Sequence, residues 1–129
     1  MQDALLMANV LQKRSMIPEI IVTSPALRTL TTAQIFAEHL RLPASDTDQK
    51  IYEASEQTLV KVINNLPNEH DFIGLVGHNP GISQLLHYLT GQFRDVPTCA
   101  IALISFDNDN WRSISSEDGH LSFYDSPKG

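Results

Sequence analysis

The segment Gly74-Leu75-Val76-Gly77-His78-Asn79-Pro80-Gly81-Ile82-Ser83 constrains this chain more than any other, because an apolar run passes into a helix with a histidine at the junction. Phe72 to Val76 is apolar and bounded by Gly77, which predicts a buried strand. Pro80 suits the first turn of a helix that continues through Leu85, Leu86 and Leu89. His78 then lies at the carboxyl end of the strand. Backbone N–H groups left unpaired at the start of that helix would point to the same place, and their partial positive charge favours a phosphate or carboxylate. The expectation is an anion site at a strand-to-helix junction.

The rest of the chain alternates in the same way. Ala4, Leu5, Ala8, Val10 and Leu11 form an amphipathic pattern that ends near Lys13 and Arg14, cations suited to a helix C-terminus. Ile20-Ile21-Val22-Thr23 is a short β-branched run and Ser24-Pro25 marks its exit. Leu27, Leu30, Ala33, Ile35, Phe36, Ala37 and Leu40 recur at helical spacing. Leu42 to Asp46 reads as a polar turn and Gln49 to Tyr52 as a short extended piece. Gln57 to Leu66 is helical again, with Ser55 as its cap. Thr90-Gly91 stops the helix after His78. Thr98 to Phe106 is extended, Asp107-Asn108-Asp109-Asn110 is expected to turn a hairpin into Trp111 to Ile114, and Asp125 to Gly129 is expected to be loose.

Such alternation predicts an α/β fold of three layers, a largely parallel sheet flanked by helices on both faces. A length of 129 residues fits one domain over 1–129 with one substantial core. The net charge of −6 argues against a sequence-independent nucleic-acid binder, which needs a basic surface to displace counterions. The single cysteine, Cys99, rules out an intrachain disulfide and a cysteine-based zinc cluster, and it is expected to be a buried small hydrophobe. No apolar stretch approaches the roughly 20 residues that span a bilayer, and the N-terminus lacks a signal-peptide pattern. The expected setting is a reducing cytoplasm, with no membrane and no nucleic-acid partner.

Ligands of open α/β sheets gather beyond the carboxyl ends of the strands. Two segments meet that criterion, Val76 to Pro80 and Val22 to Arg28, so Arg28 and His78 are expected to share one pocket. Ser24 has no Gly-x-Ser-x-Gly elbow around it and reads as a strand terminator rather than a nucleophile. Asn79 reads as a helix cap whose backbone faces the anion. Glu53 admits two readings, a proton donor to a leaving group or a surface carboxylate beside Tyr52. Thr98 opens the extended segment and carries no assigned role.

Ser24-Pro25-Ala26-Leu27-Arg28-Thr29-Leu30-Thr31-Thr32-Ala33, followed by Gly77-His78-Asn79-Pro80, resembles the histidine phosphatase superfamily, and within it the small SixA-type phosphohistidine phosphatases. Ile51-Tyr52-Glu53-Ala54, Leu89-Thr90-Gly91 and Pro97-Thr98-Cys99-Ala100 resemble further stretches of that branch, so the likeness runs nearly end to end. It implies a phosphoglycerate mutase-like fold and phosphoryl transfer through a histidine, with no metal or other cofactor. Arg28 matches the family's second arginine, a planar fork of donors for phosphate oxygens. His78 matches its second histidine, a further donor to the transferring group. Arg28, His78 and Asn79 are the implied phosphate ligands, and Glu53 joins Arg28 and His78 as a catalytic candidate.

The family's nucleophilic histidine belongs to an Arg-His-Gly motif at the end of a first strand, and Arg-His-Gly occurs nowhere in this chain. His39, His70, His87 and His120 offer no substitute from their contexts in helices, a loop and a C-terminal extended segment. The expectation is an N-terminally incomplete phosphatase domain that is inactive as it stands. The implied substrate is phosphohistidine on a signalling protein. The alternatives are a pseudo-phosphatase module that binds phosphorylated proteins, and a phosphatase or mutase for small phosphometabolites.

Overall fold

Along residues 2–127, which this computed structural model describes, the order is α1 (Gln2–Lys13), β1 (Ile20–Thr23), α2 (Leu27–Leu40), β2 (Asp46–Thr47), α3 (Glu56–Asn64), β3 (Ile73–Val76), α4 (Gly81–Thr90), β4 (Ile101–Phe106) and β5 (Gly119–Asp125). The β-branched run of β1 lies at the centre of a parallel sheet ordered β2-β1-β3, with Val22 opposite Leu75 and Thr23 opposite Val76. Successive strand residues point to opposite faces, and the packing follows that alternation. Ile20, Val22, Ile73 and Leu75 join Leu59, Val62 and Ile63 of α3 and Leu85 and Leu89 of α4 in one cluster. Ile21 and Val76 face the other way, onto Ala33 and Ala37 of α2. Helices therefore cover both faces, with α1 packed beside α2.

The helix ends obey local chemistry. Ser55 accepts a hydrogen bond from the Thr58 N–H at 3.3 Å and starts α3, while Gly91, in the left-handed region at φ 76°, ends α4. Leu59 and Leu89 are almost wholly buried, and each contributes about 1.5–3 kcal/mol by leaving water.

Four stretches differ from the sequence expectation. Asp46-Thr47, read as a turn, forms the edge strand β2 against Val22 and Thr23. Both of its side chains are exposed, so it carries no apolar pattern to find. Gln49 to Ile51 is a 3₁₀ turn rather than an extended piece, because the Asp48 carboxylate accepts from the Lys50 N–H at 2.9 Å. Trp111 to Ser113 is also a 3₁₀ turn. Asn110 caps it through the Ser113 N–H, and Asn64 donates to the carbonyls of Trp111 and Ile114 at 2.8 and 3.0 Å. The partner of β4 is instead β5, antiparallel to it, so Asp125 belongs to a strand. Of the tail expected to be loose, Lys128 and Gly129 lie outside the described residues.

One clamp holds the amino ends of β1 and β3 together. The Glu19 carboxylate accepts from His70 Nδ1 at 2.9 Å and from the N–H groups of Asp71 and Phe72 at 3.0 and 3.2 Å. The His70 hydrogen bond foremost, then the Asp71 N–H, holds the Glu19 carboxyl below its ordinary value. A carboxyl lowered by folding stabilises the fold above its unfolded value, and that contribution disappears as pH falls through the folded one. Glu19→Gln is therefore expected to flatten the acid limb of a plot of Tm against pH. An acid limb as steep as that of the parent chain would remove Glu19 from the account.

Candidate active site

The site is built at the carboxyl edge of β2-β1-β3. Because the strands are parallel, the loops after Thr23, Thr47 and Val76 leave the sheet on the same side. The turn after β1 is fixed by buried polar groups. Ser24, with no exposed surface, takes its N–H to the Val76 carbonyl at 3.1 Å and accepts from the Ala26 N–H through Oγ. Thr29 Oγ1 donates to the carbonyls of Ser24 and Ala26, both at 2.9 Å. Thr23 and Thr29, which sequence reasoning passed over, thus set the angle at which α2 leaves. Ser24 terminates the strand as expected. Arg28, the second residue of α2, stands exposed on that edge.

The loop after β2 reaches the same corner. Asp48 donates its N–H to the Thr23 carbonyl, and the chain then turns over Ile51 to Ala54. A side chain at Gly77 would meet Ile51 at 3.3 Å, and one at Gly81 would meet the Ala54 carbonyl at 2.2 Å. The two glycines flanking His78 and Asn79 are therefore the surface on which the Glu53 loop rests. Glu53 itself is exposed and sits at φ 49°, a left-handed conformation that a residue with a Cβ adopts at a cost of roughly 1–3 kcal/mol. His78, half-buried, follows the end of β3 by two residues and so leaves the sheet at the same carboxyl edge.

The start of α4 is partly self-satisfied, which corrects the expectation of free donors there. Ile82 donates its N–H to the His78 carbonyl at 3.1 Å, Ser83 donates to Asn79 Oδ1 at 3.1 Å, and Pro80 has no N–H. The N-cap position is Pro80 rather than Asn79; Asn79, one residue earlier, accepts the Ser83 N–H, and its side chain does more. Its Nδ2 donates to the Val96 carbonyl, while Val96 returns its N–H to Ser83 Oγ at 2.9 Å. The loop after α4 is drawn back along that helix, with Phe93 edge-on to His87 and Arg94 over Tyr124. Asn79→Ala is expected to cost about 1–2 kcal/mol and to release the Val96 amide to fast hydrogen exchange. Unchanged protection at Val96 would show that the loop is held elsewhere.

The remaining singled-out residues belong to other segments. Cys99 is half-buried at φ 63° ahead of β4 rather than inside an apolar strand, and burial pushes its thiol up. Thr98 is exposed beside it. His39 and His87 are on α2 and α4, His120 is on β5, and His70 belongs to the Glu19 clamp at the opposite end of β3. A cavity of about 450 Å³ lined by His70, Phe72 and Phe106 also lies at that opposite end and includes none of Arg28, Glu53 or His78. Among the described residues no group of three or more His, Cys, Asp or Glu side chains is arranged to hold a metal ion. No described helix is long and apolar enough to cross a membrane.

No family model matches the chain, and no curated protein matches it. Solved structures do. The protein histidine phosphatase SixA in complex with tungstate superposes with a TM-score of 0.83 at 23% identity, over 98% of this chain and 80% of that one. A protein of Agrobacterium tumefaciens assigned as phosphohistidine phosphatase SixA gives 0.80 at 21% identity, over 96% and 77%. One of Nakamurella multipartitia with the same assignment gives 0.82 at 14%, over 99% and 81%. The chain has the phosphoglycerate mutase-like fold of these SixA structures.

Proposed function

We propose that this chain is the phosphate-handling body of a phosphatase that works through a phosphohistidine intermediate, acting on phosphohistidine in proteins. The observation that supports this reading is the shared exit side of three parallel strands, whose following segments carry Arg28, Glu53 and His78. The fold shared with the SixA structures, one of which holds the phosphate-like anion tungstate, supports it.

In this reading Arg28 grips two phosphoryl oxygens and His78 donates to a third, so that charge developing in flight meets fixed donors. Asn79 assists through the backbone it orients. A nucleophilic histidine attacks phosphorus, a phosphorus–nitrogen bond forms, and the bond to the leaving group breaks as Glu53 supplies its proton. Water then attacks the phosphohistidine and releases orthophosphate. In this reading the attacking histidine is none of His39, His70, His87 and His120, since among the described residues His78 is the histidine on this edge and it serves as a donor.

That same distribution of histidines supports a second reading, a module that holds phosphorylated proteins without turnover. Titration calorimetry with orthophosphate and with tungstate tests the shared core of both, and saturable binding of one anion per chain is expected. Absence of saturation at millimolar anion would overturn both. Phosphate release from a phosphohistidine-bearing protein, compared with an aryl phosphate and a small phosphometabolite, then separates protein phosphatase, small-molecule enzyme and binding module.

A further inference from the structure

We infer that Ser83 is a positioning residue of the phosphate site: through Asn79 it sets the backbone that carries His78, and it fastens the loop after α4 to that backbone. This deepens the phosphatase reading and rests on it, since His78 enters as a donor to phosphate.

Two other histidines are held through their rings. His70 meets the Glu19 carboxylate at 2.9 Å, and His87 packs against the Phe93 ring with centroids 5.8 Å apart. Among the described residues His78 has neither an ionic nor an aromatic partner of this kind. Its imidazole therefore inherits its place from the backbone on either side. Before it, Gly77 is closely packed, since a Cβ there would meet Ile82 at 3.1 Å. After it, the His78 carbonyl accepts from the Ile82 N–H, and Asn79 is held by its side chain.

That side chain belongs to a closed circuit. Asn79 Oδ1 accepts from both the N–H and the hydroxyl of Ser83, at 3.1 and 2.7 Å. Asn79 Nδ2 donates to the Val96 carbonyl, and the Val96 N–H donates to Ser83 Oγ at 2.9 Å. Ser83 Oγ is the one atom of the circuit that both gives and takes a hydrogen bond. Because Val96 donates to it, its own proton goes to Asn79, so the acceptor end of the Asn79 amide faces Ser83 and the donor end faces Val96. Val96 is also the anchor of its loop, 7% exposed while Gln92 to Asp95, Pro97 and Thr98 stand in solvent. Removing the hydroxyl thus loosens the loop and leaves Asn79 with less to orient it, at the residue that follows His78. The members of such a circuit depend on one another.

The test compares Ser83→Ala with Ser83→Thr, which keeps a hydroxyl, and with Asn110→Ala, which removes a cap beside the cavity at the opposite end of the sheet. Alanine is a better helix former than serine, so α4 is expected to persist. The whole chain is read in two ways, orthophosphate affinity by titration calorimetry and the His78 ring proton resonance by NMR. Ser83→Ala is expected to weaken orthophosphate about tenfold, the scale of one hydrogen bond to a charged group, and to shift and broaden the His78 resonance. Ser83→Thr is expected to restore the affinity to within about twofold. Asn110→Ala is expected to lower Tm and leave both readouts at their parental values. Parental affinity in Ser83→Ala, while Arg28→Ala still loses the anion, overturns the proposal alone. So does an unmoved His78 resonance, a threonine variant as weak as the alanine one, or an equal loss of affinity in Asn110→Ala, which reduces Ser83 to a stabilising role. A parent chain that takes up no orthophosphate removes the phosphate reading and this proposal with it.

Discussion

Replacing Arg28 with alanine is expected to weaken orthophosphate binding about thirtyfold while leaving Tm where it was. The guanidinium is a planar fork of donors carried on the edge where α2 begins, and it stands exposed rather than packed into the core. A charge-assisted pair of hydrogen bonds to phosphate contributes on the order of 2 kcal/mol at a solvent-facing position, which corresponds to about thirtyfold in affinity. Arg28→Lys retains the charge and loses the fork, so an intermediate loss is expected. Binding by the alanine variant at parental affinity would remove Arg28 from the site. A fall in Tm alongside the loss would show that Arg28 supports the turn rather than the anion.

Gly81→Ala is the second large effect, and its sign is set by two opposed terms. Alanine in a helix is favoured over glycine by about 1 kcal/mol. At this position, however, the new Cβ would lie 2.2 Å from the Ala54 carbonyl oxygen, which backbone cannot tolerate without moving. Displacing the 52–54 loop from α4 is expected to cost about 3 kcal/mol, by analogy with an overpacked core. The net is a loss of about 2 kcal/mol, or roughly 6–10 °C in Tm for a domain of this size. The same shift moves Glu53 away from His78. A variant as stable as the parent would mean that the loop yields freely and that the contact does not position Glu53.

Both predictions concern residues that stood out in the sequence, and the reason lies in how local their signals are. The Ser-Pro turn before Arg28 and the Gly-His-Asn-Pro turn before α4 are strand-to-helix junctions, written in consecutive residues. Glu53 was harder to place because its position depends on a contact between residues 54 and 81, far apart in the chain. The polar ties on Thr29 and Asn64 were missed for a related reason. Each serves a carbonyl, either across a turn or 47 and 50 residues away, and neither leaves a periodic trace. The exposed edge strand β2 lacked an apolar pattern, and β5 was hidden by a polar stretch that Asn110 and Asp118 fold into caps and turns.

What the sequence by itself determined is the set of elements with a buried face, their order, and the two junctions that carry Arg28 and His78. Burial imposes a period of about two on strands and 3.6 on helices, and caps are satisfied by neighbours in the chain. What only the tertiary structure decided is how these pieces meet: β2 and β5 as partners of β1 and β4, the Glu53 loop seated on Gly81, and the Glu19 clamp. Those features are pairings between distant residues, and a backbone donor or acceptor carries no side-chain signature of the partner it will find.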